Sequence, residues 1–126
     1  MANILIIEDD VLVARMYQKV FSFEGMEVEV ANDGIEGVEK ARTLKPDLIV
    51  CDVMMPKMNG LEVLDQLKSD PETKDIPVIM LTNLSGTQDA EKALSRGAIS
   101  YMVKSKYKPR EVAAEVKKEL PSKPQE

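Results

Sequence analysis

A run of four apolar residues that ends at an aspartate constrains the fold of this chain more than any other feature. The run, Leu48–Cys51, lies between Pro46 and Asp52. Such a short, continuous run is typical of a strand buried on both faces of a parallel sheet, although periodicity alone also permits a buried helix segment. The β-branched residues and the flanking proline favour the strand. Asp52 is therefore expected at the carboxyl end of a central strand, where open α/β sheets form their ligand crevice, and the loop that follows should display its carboxylate.

The rest of the chain alternates between strand and helix patterns. Strands are expected over residues 4–7, 26–31, 48–51, 78–81 and 99–103, and helices over about 11–24, 35–44, 59–69, 86–96 and 109–120. Strands that alternate with helices of this length imply right-handed crossovers and a parallel sheet covered by helices on both faces. We therefore predict an α/β, doubly wound, five-stranded fold with one domain over residues 1–120, followed by a polar C-terminal tail at 121–126.

Local signals place the ends and the buried faces of several elements. Asp10 is a suitable N-cap for the first helix, and Gly25 and Gly97 are suited to the ends of helices. The second strand alternates charged and apolar residues, so we expect it at an edge of the sheet. The first helix should bury a face formed by Val13, Met16, Tyr17 and Val20.

Composition excludes several classes of function. No apolar run reaches the roughly 20 residues of a membrane span, and the N-terminus lacks a signal-peptide pattern, so we expect a cytoplasmic protein without a membrane partner. The formal net charge of -5 argues against direct nucleic-acid binding. The chain has no histidine and one cysteine, Cys51, which excludes His-ligated zinc sites, cysteine clusters and His-based catalytic triads.

Chemically active side chains follow four of the predicted strands: Glu8 and Asp9, Asp52, Thr82, and Lys104. The carboxyl ends of parallel strands meet at one edge of the sheet, so these side chains should converge. Clustered carboxylates repel one another unless a cation or a proton lies among them, and oxygen ligands suit Mg²⁺. The lysine and the hydroxyl would bind an anion. Each residue alone could equally cap its loop, but together they predict a site for a phosphoryl group carried by Asp52 as an acyl phosphate.

Four segments contain these strand ends, and they read ILIIEDD, DLIVCDVMMPKMNG, PVIMLTN and GAISYMVK. In combination they resemble the receiver domain of two-component response regulators, of the single-domain kind found in chemotaxis regulators. The resemblance covers nearly the whole chain. It implies a flavodoxin-like sheet with strand order 2-1-3-4-5 and five helices.

The resemblance also implies a role for each site residue. Asp52 would be the phosphoacceptor, with Mg²⁺ as the cofactor. The metal would be held by the carboxylates of Asp9 and Asp52, by the backbone carbonyl of Met54 and, through a water molecule, by Glu8. Lys104 would pair with the phosphoryl oxygens.

Two further residues are implied as a switch. Thr82 would move to hydrogen-bond the phosphoryl group, and Tyr101 would rotate inward behind it. Their movement would change the surface formed by helix 4, strand 5 and helix 5. The alternative interpretation of Tyr101 is an exposed aromatic residue on an edge strand.

The function implied by the resemblance is phosphotransfer signalling. The chain would accept a phosphoryl group from the phosphohistidine of a sensor histidine kinase or a phosphotransfer protein, and it would signal to a downstream protein target or output domain. Its own chemistry would be limited to self-phosphorylation and self-dephosphorylation, so it is not expected to be a turnover enzyme. We expect a monomer or a weak, phosphorylation-dependent dimer.

Two residues depart from the usual pattern of the family. Ser105 follows the lysine of the fifth strand, where the family usually has proline after a cis peptide bond. A cis bond before a residue other than proline costs roughly 2.5–4 kcal/mol. The sequence leaves open whether the Lys104–Ser105 bond is cis or trans, and a trans bond would put the aim of Lys104 in question. Asn83 follows Thr82, where the family usually has a small residue. Its amide would partly cover the pocket or contact the phosphoryl group.

Three other functions remain as alternatives. A phosphatase or phosphotransferase with an aspartyl nucleophile would need a second carboxylate two residues after Asp52, where this chain has Met54. A flavodoxin-like cofactor binder would need a first loop that cradles phosphate, whereas residues 8–10 are all acidic. A degenerate receiver that serves only for docking is disfavoured by the intact acceptor and metal residues.

Overall fold

The computed structural model describes residues 1–121, which contain the predicted parallel sheet. The strands are β1 Asn3–Ile7, β2 Glu27–Ala31, β3 Leu48–Cys51, β4 Val78–Thr82 and β5 Ser100–Val103. The helices are α1 Val11–Phe23, α2 Gly34–Leu44, α3 Gly60–Ser69, α4 Thr87–Ser95 and α5 Pro109–Glu119, with a 3-10 turn at Lys104–Lys106. The order β2-β1-β3-β4-β5, with every pair parallel, confirms the predicted flavodoxin-like fold. Beyond Pro121, the predicted tail lies outside the described residues.

The sheet separates two hydrophobic layers because successive side chains of a strand point to opposite faces. On one face, Leu5 and Ile7 of β1 pack with residues of α2 and α3 and with Ala93 of α4. On the other face, Ile4 and Ile6 pack with residues of α1 and α5. Burial on both faces explains why β1, β3 and β4 consist almost entirely of apolar residues. β2 lies at an edge, as its alternating sequence predicted.

The predicted apolar face of α1 is confirmed except at one residue. Ala14, Tyr17 and Phe21 are buried, and Val13 and Val20 pack partly buried against the same core. Met16 is exposed. The rings of Tyr17 and Phe21 lie with their centroids 6.0 Å apart and fill the space above the sheet. Because Phe21 is fully buried, the helix is rotated toward it, and Met16 is turned to the surface. The sequence therefore predicted the helical spacing correctly, but it wrongly placed Met16 on the buried face in place of Phe21.

Two of the predicted helix ends are confirmed. Asp10 caps α1, since its carboxylate accepts hydrogen bonds from the main-chain N–H groups of Leu12 and Val13. Gly97 has a φ of 111° and directly follows the last residue of the α4 cap, Arg96. No helix within residues 1–121 is both long and apolar enough to cross a membrane.

Candidate functional site

Asp52 is the first residue after β3, and its main chain is fixed by neighbouring segments. Its N–H donates to the carbonyl of Ile7 at 3.0 Å, which ties it to β1. The N–H of Gly60 donates to the carbonyl of Val53 at 2.8 Å, so the start of α3 packs directly against this turn. A Cβ atom at Gly60 would lie 2.1 Å from the carbonyl oxygen of Asp52. Only glycine therefore permits this close approach.

The carboxylate of Asp52 is more enclosed than the sequence predicted. Only 7% of the residue is exposed, although the following loop was expected to display it. Its Oδ2 accepts a hydrogen bond from Lys104 Nζ at 3.2 Å, and its Oδ1 accepts one from the N–H of Met54 at 3.2 Å. Each carboxylate oxygen thus has a hydrogen-bond partner, which offsets the cost of burying the charge.

Lys104 also pairs with Glu8, a contact that the sequence did not predict. Lys104 Nζ donates to Glu8 Oε1 at 2.5 Å, and Glu8 Oε2 accepts from the N–H of Asp10 at 3.1 Å. Burial raises the pKa of Glu8 above its usual value, and the hydrogen bonds from Lys104 and Asp10 only partly offset this effect. Burial alone would lower the pKa of Lys104. The hydrogen bond to Glu8 and the charges of both carboxylates outweigh burial and raise it.

Glu8, Asp9 and Asp52 form a cluster in which one carboxylate oxygen from each residue lies within 4.8 Å of the others. Three carboxylates face a single ammonium group in this cluster, so it has an excess of negative charge. Hard cations such as Mg²⁺ take oxygen ligands of this type and retain several waters. Asp9 is the least buried of the three acids, which leaves an approach from solvent. The residues present therefore fit a magnesium ion.

Thr82 and Tyr101 are joined through the main chain of Leu84. The hydroxyl of Thr82, which is 1% exposed, accepts a hydrogen bond from the N–H of Leu84 at 3.3 Å. The hydroxyl of Tyr101 donates to the carbonyl of Leu84 at 2.6 Å. Thr82 also pairs in register with Val103, the residue before Lys104. The predicted switch residues therefore lie at the two ends of one short hydrogen-bonded path beside the carboxylates.

Comparison with known proteins identifies the family of this chain. A family model for the response regulator receiver domain matches residues 4–117. The chain belongs to this family. It is similar in structure to the chemotaxis protein CheY4 of Vibrio cholerae, with a TM-score of 0.88 and 29% identity over 95% of this chain and 99% of that one. It is also similar to the signal receiver domain of a histidine kinase from Syntrophus aciditrophicus, with a TM-score of 0.84 and 35% identity over 94% of this chain and 89% of that one.

Curated relatives of this receiver domain include longer proteins. The chain is 41% identical over 104 residues to the DNA-binding dual master transcriptional regulator RpaA of Synechocystis sp., which covers 82% of this chain and 43% of RpaA. It is 36% identical over 118 residues to the DNA-binding response regulator MtrA of Mycobacterium tuberculosis, which covers 94% of this chain and 50% of MtrA. The chain thus spans about half the length of the curated relatives it matches.

The two departures from the family pattern have distinct positions in this receiver domain. Residues 1–121 contain no cis peptide bond, so the Lys104–Ser105 bond, which the sequence left open, is trans. Ser105 then forms part of the 3-10 turn, and Lys104 still reaches Asp52. Asn83 is exposed on the loop between β4 and α4.

Cys51 and Tyr101 both lie at least partly inside the core. Cys51 is a free, fully buried thiol, and burial raises its pKa, which makes the thiol unreactive. Tyr101 is half-buried and packs against the core that contains α2, α3 and α4, so it is not a freely exposed aromatic residue. The sequence contained no signal for the contact of its hydroxyl with Leu84, because that contact depends on the path of a loop.

Proposed function

We propose that Asp52 accepts a phosphoryl group from the phosphohistidine of a sensor histidine kinase or a phosphotransfer protein. The observation that carries this proposal is the contact between Asp52 Oδ2 and Lys104 Nζ at 3.2 Å beside two further carboxylates. In the transfer, an oxygen of Asp52 forms a bond to phosphorus while the bond from phosphorus to the imidazole nitrogen breaks. The product is an acyl phosphate, and the electron pair of the broken bond leaves with the imidazole.

The residues around Asp52 would assist this transfer electrostatically. Lys104 would move its ammonium group toward the phosphoryl oxygens and offset their charge. Asp9 and Asp52 would hold Mg²⁺ directly, with Glu8 through a water molecule and Met54 through its backbone carbonyl. The N–H of Met54 already contacts Asp52, which supports the presence of its main chain at the site. When bound, Mg²⁺ would neutralise negative charge on the transferring group.

The signal would leave the site through Thr82. A hydrogen bond from its hydroxyl to the phosphoryl group would compete with the contact between Thr82 and Leu84, and Tyr101 contacts the same Leu84 peptide. A change there would alter the surface formed by α4, β5 and α5, which a downstream target or output domain would recognise. A cytoplasmic location and a weak, phosphorylation-dependent dimer are consistent with this role. The protein would serve as a phosphotransfer substrate and not as a turnover enzyme.

The test is the intact mass of the protein after incubation with phosphoramidate, whose phosphorus–nitrogen bond resembles that of phosphohistidine, and with acetyl phosphate. With Mg²⁺, one phosphoryl group should add about 80 Da by acyl-phosphate formation. Asp52→Asn and the addition of EDTA should each abolish the gain. Asp33→Asn, the same chemical change at the N-cap of α2, should retain it. A phosphoryl adduct that persists in Asp52→Asn would reject Asp52 as the acceptor.

A further inference from the structure

Lys104 is held more closely by Glu8 than by Asp52. Its Nζ lies 2.5 Å from Glu8 Oε1 and 3.2 Å from Asp52 Oδ2. The side chains of Lys104 and Glu8 are only 13% and 5% exposed, so solvent screens their interaction weakly. Lys104 is therefore the centre of a three-residue ion-pair network in which Glu8 is the nearer partner.

Glu8 is held at two points that do not involve Lys104. Its N–H donates to the carbonyl of Ala31 at 3.0 Å, which extends the pairing of β1 with β2. Its Oε2 accepts from the N–H of Asp10 at 3.1 Å, while its Oε1 receives Lys104. Asp10 in turn caps α1. The carboxylate of Glu8 therefore has one orientation that is set by β2, by the loop after β1 and by the start of α1.

On its own side of the site, the main chain of Lys104 is held by the turn after β5, where its carbonyl accepts a hydrogen bond from the N–H of Tyr107 at 3.4 Å. Lys104 directly follows β5 and begins a 3-10 turn, and its long side chain has a flexible stem. Beyond this turn, the ammonium group contacts two carboxylates across the site, those of Glu8 and Asp52. These carboxylates therefore direct the ammonium group.

We infer that Glu8 is a positioning residue that holds the ammonium group of Lys104 against Oδ2 of Asp52. This inference rests on the proposed function, since Lys104 must lie where the phosphoryl oxygens arrive. It differs from the role that the family resemblance implies for Glu8, which is to bind Mg²⁺ through water. A group displaced by about 1 Å can lose roughly a hundredfold in rate, so the position of Lys104 has a measurable consequence.

A double-mutant cycle separates the two roles of Glu8. Glu8→Asp keeps the negative charge but withdraws the carboxylate by one methylene, roughly 1.5 Å. Glu8→Gln keeps an oxygen acceptor at the original reach and loses the charge. Lys104→Met removes the ammonium group and keeps a long, unbranched stem. The rate of phosphorylation by acetyl phosphate is measured for each single variant and for the Glu8→Asp, Lys104→Met double variant, with Mg²⁺ saturating for each protein.

If Glu8 acts through Lys104, Glu8→Asp should slow phosphorylation on the order of tenfold when Lys104 is present, because a small misplacement of the ammonium is costly. In the Lys104→Met background, Glu8→Asp should slow phosphorylation less than about twofold, because the interaction between the two side chains has already been removed. Glu8→Gln should retain more of the rate than Glu8→Asp. Equal slowing in the two backgrounds, or a faster Glu8→Asp than Glu8→Gln, would overturn the inference.

A second measurement does not require phosphorylation. In the unphosphorylated protein, the NMR signals of the Lys104 side chain should shift in Glu8→Asp, and they should remain unchanged in Glu24→Asp. The latter is a matched control, because Glu24 and Lys117 form an exposed ion pair at 2.8 Å away from the site. Unshifted Lys104 signals in Glu8→Asp would overturn the inference even if Asp52 is phosphorylated. Failure of the parent protein to gain a phosphoryl group would instead reject the proposed function, and the NMR result would still decide the contact.

Discussion

The acidic cluster should destabilise the fold when no divalent metal is bound. Glu8, Asp9 and Asp52 bring carboxylate oxygens within 4.8 Å of one another, while Lys104 contacts Glu8 and Asp52. Two like charges 4.8 Å apart repel by about 3.5 kcal/mol at an effective dielectric constant of 20 and by about 0.9 kcal/mol in water. Asp9 is the least buried of the acids. We therefore expect that removal of the Asp9 charge raises the free energy of unfolding by about 1 kcal/mol, which is close to the repulsion calculated for water.

The perturbation is Asp9→Asn, and the assay is thermal unfolding followed by circular dichroism. In EDTA, the variant should unfold about 3–6 °C above the parent protein, since 1 kcal/mol shifts Tm by that amount in a chain of this size. Mg²⁺ at a hundred times its Kd should stabilise the parent by about 2.7 kcal/mol, because it binds the folded state alone. The variant should respond much less, so the order of the two melting temperatures should reverse when Mg²⁺ is added.

The control is Asp33→Asn, which makes the same chemical change at an acid that also follows a strand but serves as the N-cap of α2. Its Mg²⁺ response should equal that of the parent, because Asp33 lies outside the cluster. Two results would refute the reasoning. One is a lower Tm of Asp9→Asn in EDTA, which would mean that Asp9 stabilises the fold through contacts that outweigh its repulsion. The other is an undiminished Mg²⁺ response in Asp9→Asn, which would place the metal elsewhere.

Three further predictions concern the approach to Asp52 and the switch. Gly60→Ala should displace Asp52, because its Cβ would lie 2.1 Å from the carbonyl oxygen, and it should lower both Tm and the mass gain with acetyl phosphate. Tyr101→Phe removes the hydrogen bond to Leu84, so it should retain phosphorylation but shrink the amide NMR shifts that Mg²⁺ and beryllofluoride cause across residues 84–110. Met54→Asn with Leu84→Glu should hold a hydrolytic water, and it should speed loss of the phosphoryl group about tenfold if about 1.4 kcal/mol of barrier is removed.

Each of these predictions has an outcome that contradicts it. For Gly60→Ala the control is Gly86→Ala, whose Cβ would meet only the movable side chain of Asp89. Equal losses in the two variants would show that the close approach to Asp52 is unimportant. Full-sized distant shifts in Tyr101→Phe would separate Tyr101 from the switch. An unchanged phosphoryl lifetime in the variant of Met54 and Leu84 would show that these side chains do not control hydrolysis.

The topology and the position of the site could be predicted from the sequence because they depend on few variables. The apolar run before Asp52 and the run before Thr82 are short and alternate with helix patterns, which favours buried strands over buried helix segments. Parallel strands place their carboxyl ends at one edge, so Lys104 had to lie near Asp52 although 51 residues separate them in the chain. The comparison with known receiver domains and the sheet order confirm this fold. The functional roles of these residues stay predictions.

The contacts inside the site could not be predicted in the same way. Lys104 contacts both Glu8 and Asp52 from the end of β5, and this shared contact depends on side-chain torsions that sequence spacing does not determine. The rotation of α1 that exposes Met16 depends on how Phe21 fills the core, which is a packing effect. The enclosure of Asp52 has the same origin, because it arises when three separate segments close around one carboxylate.

The two edge strands of the sheet, β2 and β5, differ in how far side chains protect their main chains from pairing with another strand. At the β2 edge, Gln18 Nε2 donates to the carbonyl of Val28 at 3.3 Å, and Lys40 Nζ donates to that of Val30 at 2.7 Å. Lys40 is held in place by an ion pair with Glu29 at 2.9 Å. Side chains that occupy edge carbonyls hinder the addition of another strand. Within residues 1–121, no side-chain hydrogen bond of this kind reaches the main chain of β5, the edge strand that contains Tyr101. Within the described residues, the β5 edge therefore lacks the side-chain protection that Gln18 and Lys40 give to the β2 edge.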